Sequence, residues 1–330
     1  MKKSLAAFMV CVLIIVLTFT CFAGCEKTEN NVIRVNEVTH SVFYAPLYVA
    51  INKGFFEEEG LEIELTNGGG SDTTMTALVS KSADIALAGP EASVYVYLEG
   101  KTDYAVIFAQ ITRKDGSFLI GREKEDNFDW NTSLIGKEII GGRKGGMPAM
   151  ALEYALVNRG YVDGENVTIN YDVKFDLIVP AFESGTGDYC TMFEPAASNY
   201  VKSGKGYILG SVGEASGDVP FTAFSALKSY IEDNPEKIER FTRALQKGMD
   251  YVWENDEMTV AEAVKDSFVG TDTDMLATAI KNYKDIYAYS KTTTMKEEDF
   301  GRLIDIITDA GIIDKTVPFD QIFDNSFAVK

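Results

Sequence analysis

From position 32 onward, short apolar runs alternate with longer stretches whose apolar residues recur three and four apart. Those are the periods of buried strands and of helices with one face covered. The pattern predicts a strand over Ile33–Val38, a helix over Tyr44–Glu58 stopped by Gly60, and a second strand over Leu61–Thr66. Gly68-Gly69-Gly70 forms a turn, and Ser71 or Asp72 caps a helix running to Ser80, since either side chain can accept from orphan amides of the first turn. Ile85–Ala88 is a strand, Gly89-Pro90 opens the next helix, and Tyr104–Gln110 is a fourth strand.

A second block repeats this grammar. Ile139–Gly142, Val167–Asp172, Tyr189–Phe193 and Tyr207–Leu209 read as strands, and Pro148–Asn158 as a helix. From Pro235 to about Ala310 the pattern is amphipathic helix. Strand and helix in alternation predict an α/β fold with a largely parallel sheet. No internal sequence repeat, low-complexity segment or long linker interrupts it. Two stretches rich in glycine, serine, aspartate and threonine, Thr112–Gly121 and Gly213–Phe224, are the expected crossings between blocks. The first lobe is then discontinuous, made of 32–115 and 221–330, with 116–220 as the second.

The N-terminus has a different character. Lys2 and Lys3 precede an almost unbroken apolar run from Leu5 to Gly24, the basic and apolar regions of a secretion signal. The run is also long enough for an uncleaved membrane anchor. It ends in Phe22-Ala23-Gly24-Cys25, which resembles the bacterial lipobox, although the usual leucine is replaced by Phe22. That resemblance implies a signal over 1–24, acylation of Cys25 and a polar tether over 25–31. Either reading puts residues 26–330 outside the cytoplasmic membrane. After Cys11, Cys21 and Cys25 are assigned to this region, Cys190 alone remains. The remaining domain therefore has no disulfide framework or thiol metal cluster, and Cys190 reads as a small buried hydrophobe.

Charge narrows the partners. The net charge is −19, with 50 acidic against 31 basic residues. So acidic a surface argues against nucleic acid and against a polybasic contact with anionic lipid. Contact with the bilayer would rest on the acyl chains of Cys25. With 46% hydrophobic residues the chain can bury a full core, and two lobes rather than one are expected at this length; the protein is expected to be a monomer.

The run Thr39-His40-Ser41-Val42-Phe43-Tyr44-Ala45-Pro46-Leu47-Tyr48-Val49-Ala50, followed by Lys53-Gly54-Phe55-Phe56 and Gly60-Leu61, carries a family resemblance. It is similar to the opening of ABC-importer binding proteins for nitrate, sulfonates, taurine and the pyrimidine precursor of thiamine. The likeness continues through Gly68-Gly69-Gly70, Ala83-Asp84-Ile85-Ala86 and Phe193-Glu194-Pro195. It implies a two-lobed periplasmic-binding-protein clamshell (type II) with two hinge strands. It also implies a small-molecule cargo and an ABC permease as partner.

Ligands of open α/β sheets sit beyond the carboxyl ends of strands, where helix N-termini carry free amides and partial positive charge. Four such corners are candidates: His40–Tyr44, Gly69–Asp72, Gly89–Glu91 and Gly142–Gly146. They offer His40, Ser41, Phe43, Tyr44, Gly70, Ser71, Gly89, Pro90, Glu91 and Arg143 as ligand contacts, with Glu194 added from the second block. Each has a plainer alternative. His40 is a ligand contact or a turn histidine bonded to backbone. Phe43 and Tyr44 stack on a ring or anchor the following helix. Glu91 and Glu194 read a donor group or only complement a helix dipole. Arg143, beside Lys144, clamps an anion or lies in a solvated loop. The resemblance to the thiamine-precursor branch implies that a glutamate after an aromatic strand receives a ring amino group. That role falls first on Glu194, though the following Pro195 is shared with the anion-binding branch, and second on Glu91.

Enzyme chemistry finds few residues to use. There is one histidine, no G-x-S-x-G elbow, and Gly-Gly-Arg-Lys-Gly-Gly lacks the P-loop spacing. The related pyrimidine-forming enzymes carry a cysteine-rich iron-binding run that is absent here. No catalytic residue, metal or cofactor is expected. Two acidic residues beside the cleft favour a flat heterocycle with donor groups as cargo over a small anion such as a sulfonate or nitrate.

Overall fold

In a computed structural model of the chain, the described residues are 31–315 and 317–329, with the side chain of Asp176 left aside. The signal and Cys25 lie outside the described residues. The first sheet takes β1 (Val32–Glu37), β2 (Glu62–Asn67), β3 (Ile85–Ala88) and β4 (Ala105–Thr112). The second takes β5 (Phe118–Gly121), β6 (Glu138–Ile140), β7 (Thr168–Asn170), β8 (Tyr189–Met192) and β9 (Tyr207–Ser211), and β10 (Thr222–Leu227) returns to the first.

The orders β2-β1-β3-β10-β4 and β7-β6-β8-β5-β9 follow one plan. In each five-stranded sheet four strands run the same way, and the strand fourth in the order, β10 or β5, is antiparallel to both neighbours. That fourth strand is the first one after a crossing. Residues 113–117 lead from β4 to β5, and residues 212–221 lead from β9 to β10. The crossings lie side by side. Val219 donates to the carbonyl of Arg113, Phe221 to that of Thr112, and Arg113 and Lys114 both pair with Asp218.

Two differences from the sequence reading have physical causes. The helix expected over Tyr44–Glu58 is divided into a 3-10 turn at Val42–Tyr44 and helices at Ala45–Asn52 and Phe55–Glu58. Gly54, at φ 76°, takes the left-handed conformation that breaks it. Strand β5 lies inside the first expected crossing and β10 starts inside the second. Both are buried on both faces, as β3 and β8 are, but their short apolar runs are flanked or interrupted by glycine, serine and threonine, which hides them among turn residues.

The C-terminal block folds as helices at Pro235–Glu254, Glu257–Val264, Thr273–Asp285 and Glu297–Asp309. Phe241 of the first of these packs against Phe56, Phe108 and Phe224, joining the block to the first sheet. Among the described residues no helix is long and apolar enough to cross a membrane.

Candidate functional site

Loops from both sheets meet where the parallel strands end. After β1, Ser41 caps the 3-10 turn by accepting from the Phe43 amide at 3.2 Å, and this fixes the next two rings. Phe43 is buried, with Phe193 and Phe221 both 5.7 Å away in edge-on contact. Phe193 follows β8 and Phe221 lies in the second crossing, so one aromatic cluster joins three segments. Tyr44 is buried beside Thr222 of β10. Burial is the largest influence raising its phenol pKa; a hydrogen bond with Thr222 opposes it, and the charges of Glu37 and Glu91 add to it.

After β3, Gly89 and Pro90 are buried and lead the helix Pro90–Leu98. Glu91 is only 2% exposed and folds back over Gly89, where a Cβ would lie 2.0 Å from its Oε2. That oxygen has no hydrogen-bond partner. Burial pushes the carboxyl up to about 7, against its own amide, the charge of Arg143 and the Ala92 amide, while Asp72 adds to the rise. A buried acid with an unused oxygen is strongly unfavourable unless a partner arrives.

Gly70 and Ser71 open the helix Ser71–Val79 after β2. Gly70, not Ser71 or Asp72, occupies the cap position, and its carbonyl accepts from Thr74. Asp72, in the first turn, is left free to reach across and pair with Arg143 at 3.2 Å. The Tyr95 hydroxyl donates to the carbonyl of Gly145 at 3.3 Å, a second contact between the two sheets' loops. Lys144 turns elsewhere, over the ring of Tyr171.

Two candidates have their polar atoms engaged within the protein. His40 Nδ1 lies 2.8 Å from Glu37 Oε1, its Nε2 donates to the Ser267 carbonyl at 2.7 Å, and Phe268 covers the ring. Tyr48 donates to the other oxygen of Glu37. The Glu194 carboxylate accepts from the Ser198 amide and hydroxyl at 3.0 and 2.8 Å and from Asn282 at 2.6 Å. Its own amide donates to the Tyr283 hydroxyl at 2.9 Å.

The structure therefore brings Phe43, Tyr44, Glu91 and Arg143 to one region together with Asp72, Tyr95, Phe193, Phe221 and Thr222. It turns His40 toward the C-terminal block. Asn282 and Tyr283 escaped sequence reasoning because their helix is far from β8 in the chain. Phe193, inside the Phe193-Glu194-Pro195 motif, is the one added ring with a signal in the sequence.

Comparisons with known proteins agree with this architecture. YtlA of Bacillus subtilis (strain 168), a candidate binding protein, is 41% identical over 331 residues, covering 100% of this chain and 98% of that one. The alkanesulfonate-binding protein SsuA of Xanthomonas axonopodis pv. citri, bound to MOPS, superposes with a TM-score of 0.70 at 14% identity. The match covers 90% of this chain and 99% of SsuA. A Candida albicans protein described as having the generic periplasmic binding protein fold matches with a TM-score of 0.65 at 13% identity, over 89% and 96% of the two chains. The two-sheet arrangement is thus the periplasmic-binding-protein fold, as the Thr39–Leu61 resemblance implied. A sequence profile described as NMT1/THI5 like matches residues 42–258, more than half of the chain, and the chain belongs to that family.

Proposed function

We propose that this chain is an extracytoplasmic substrate-binding protein that captures a small molecule between two lobes and delivers it to an ABC permease. In this reading it is a monomer tethered to the bilayer through acylated Cys25. The lobes are the two sheets with their helices, and they close by rotation about residues 113–117 and 212–221. The family membership and the 41% identity to a candidate binding protein support a binding role.

The observation that carries the cargo reading is Glu91. Its carboxyl is buried beside Tyr44 and Tyr95 with one oxygen unused, a position that suits an N–H donor on the cargo. The rings of Phe43, Phe193 and Phe221 nearby suit a flat apolar face. A heterocycle with an amino group, of the thiamine-precursor kind, meets both requirements. A simple sulfonate or nitrate is the alternative, favoured by Arg143, but that guanidinium already holds Asp72.

A thermal-shift screen of nutrients tests the proposal, since a ligand at 100 times its Kd adds about 2.7 kcal/mol to stability. Aminoheterocycles should raise the melting temperature. Stabilisation by small anions alone would favour the alternative.

A further inference from the structure

Arg143 is the basic side chain that the loop after β6 extends toward the first sheet, and Asp72 meets it at 3.2 Å. The two side chains are 56% and 80% exposed, so their pairing adds little to stability. Its position matters more. Glu91 lies within electrostatic reach of both, Arg143 favouring its ionised form and Asp72 opposing it. Tyr95, which bonds to Gly145 in the same loop, feels all three charges. The corner thus sets two carboxyl groups against one guanidinium.

An incoming anion faces a specific obstacle here. To pair with Arg143 it must compete with Asp72, which holds one nitrogen of the guanidinium, and it then sits beside Asp72 and, when ionised, Glu91, both of which repel it. Like charges brought together repel, most at low ionic strength, and natural sites use such repulsion to reject the wrong ligand. A donor-bearing cargo meets no such barrier, because it uses the free oxygen of Glu91 and leaves the Asp72–Arg143 pair intact.

We propose that Asp72 is a specificity-determining residue, an internal carboxylate that occupies Arg143 and denies it to small free anions. The inference rests on the corner being the cargo site, as proposed above. Asp72 also closes the rim on that side, since the pair joins a helix of the first sheet to a loop of the second.

The test is calorimetric titration of the full-length protein with propanesulfonate and with nitrate, at low ionic strength where exposed charges are least screened. The proteins compared are wild type, Asp72→Asn, and Asp72→Asn combined with Arg143→Ala. Wild type should bind both anions weakly. Asp72→Asn should bind propanesulfonate roughly tenfold more tightly, and adding Arg143→Ala should abolish that gain. Thermal melts without ligand should coincide for wild type and Asp72→Asn, which separates specificity from folding. Equal affinity of these two proteins overturns the role of Asp72. If that shared affinity is weak, the heterocycle reading survives; if it is tight, both fall. Titration of wild type with 4-amino-5-hydroxymethyl-2-methylpyrimidine in parallel tests the cargo reading independently.

Discussion

The side-chain amide of Asn282 donates to the carboxylate of Glu194 across 2.6 Å, joining the helix Thr273–Asp285 to the segment after β8. Glu194 is 3% exposed, and Ser198 supplies the other hydrogen bonds to its carboxylate. The acid is therefore kept in the interior by groups of the protein itself.

Removing the amide should leave that carboxylate under-satisfied. Asn282→Ala is expected to lower unfolding stability by about 1–3 kcal/mol. Asn282→Asp should cost more at neutral pH, because two carboxylates would then face each other, and should recover as the pH falls. Urea unfolding at two pH values checks both, and equal stability of all three proteins would show that Glu194 does not depend on Asn282.

His40 gives a titration that can be read without ambiguity, because the sequence holds one histidine. Its pKa is raised above 6.5, first by the hydrogen bond with Glu37, against desolvation, with the Ser267 carbonyl and the Glu37 charge adding. The folded state thus binds the proton more tightly than the unfolded one. The stabilisation is fully present below about 6.5 and is lost as pH rises through the folded-state value. Proton NMR of the native imidazole should give a midpoint above 6.5, and Glu37→Gln should lower it. A native midpoint at or below 6.5 would contradict the contact.

Much of this could be read from the order of residues, and what could not has a common cause. Strands β3 and β8 announce themselves as short apolar runs and β1 and β2 by apolar residues in alternation with polar ones, and the Lys53-Gly54-Phe55-Phe56 motif points to the family. The corners at Gly89–Glu91 and around Arg143 followed from strand ends meeting helix starts. Partnerships across the fold were invisible. Nothing near Arg143 in the chain names Asp72, nothing near Glu194 names Asn282, and His40 is held by a carbonyl 227 residues away. Local pattern selects the residue types, and tertiary packing decides whether a polar atom is free for a ligand or already used.

Asp115 lies in the first crossing, fully buried, with Oδ1 bonded to Ser117 and Oδ2 without a partner. Burial pushes its carboxyl up to about 7 from 3.8, against the hydroxyl and amide of Ser117. A raised carboxyl is stabilising below its unfolded value and loses that stabilisation as pH rises through about 7. Asp115→Asn should remove this slope and exceed wild type at pH 8 by something on the order of 4 kcal/mol. Parallel stability curves for the two proteins between about pH 4 and pH 8 would show that the acid is solvated when folded.

Cys25 lies outside the described residues, and its role is tested by processing. In its native host, wild type should appear as a shorter, lipid-labelled form, and Cys25→Ser should keep its apolar leader. Equal mobility of the two on a gel would exclude the lipobox.

Whether Glu91 holds a donor-bearing cargo is decided by calorimetric titration with 4-amino-5-hydroxymethyl-2-methylpyrimidine. Wild type should bind one molecule, and Glu91→Gln, which keeps the shape but replaces an acceptor by an amide, should bind about tenfold more weakly or worse. Unchanged or tighter binding by Glu91→Gln, or no binding by wild type, would contradict it.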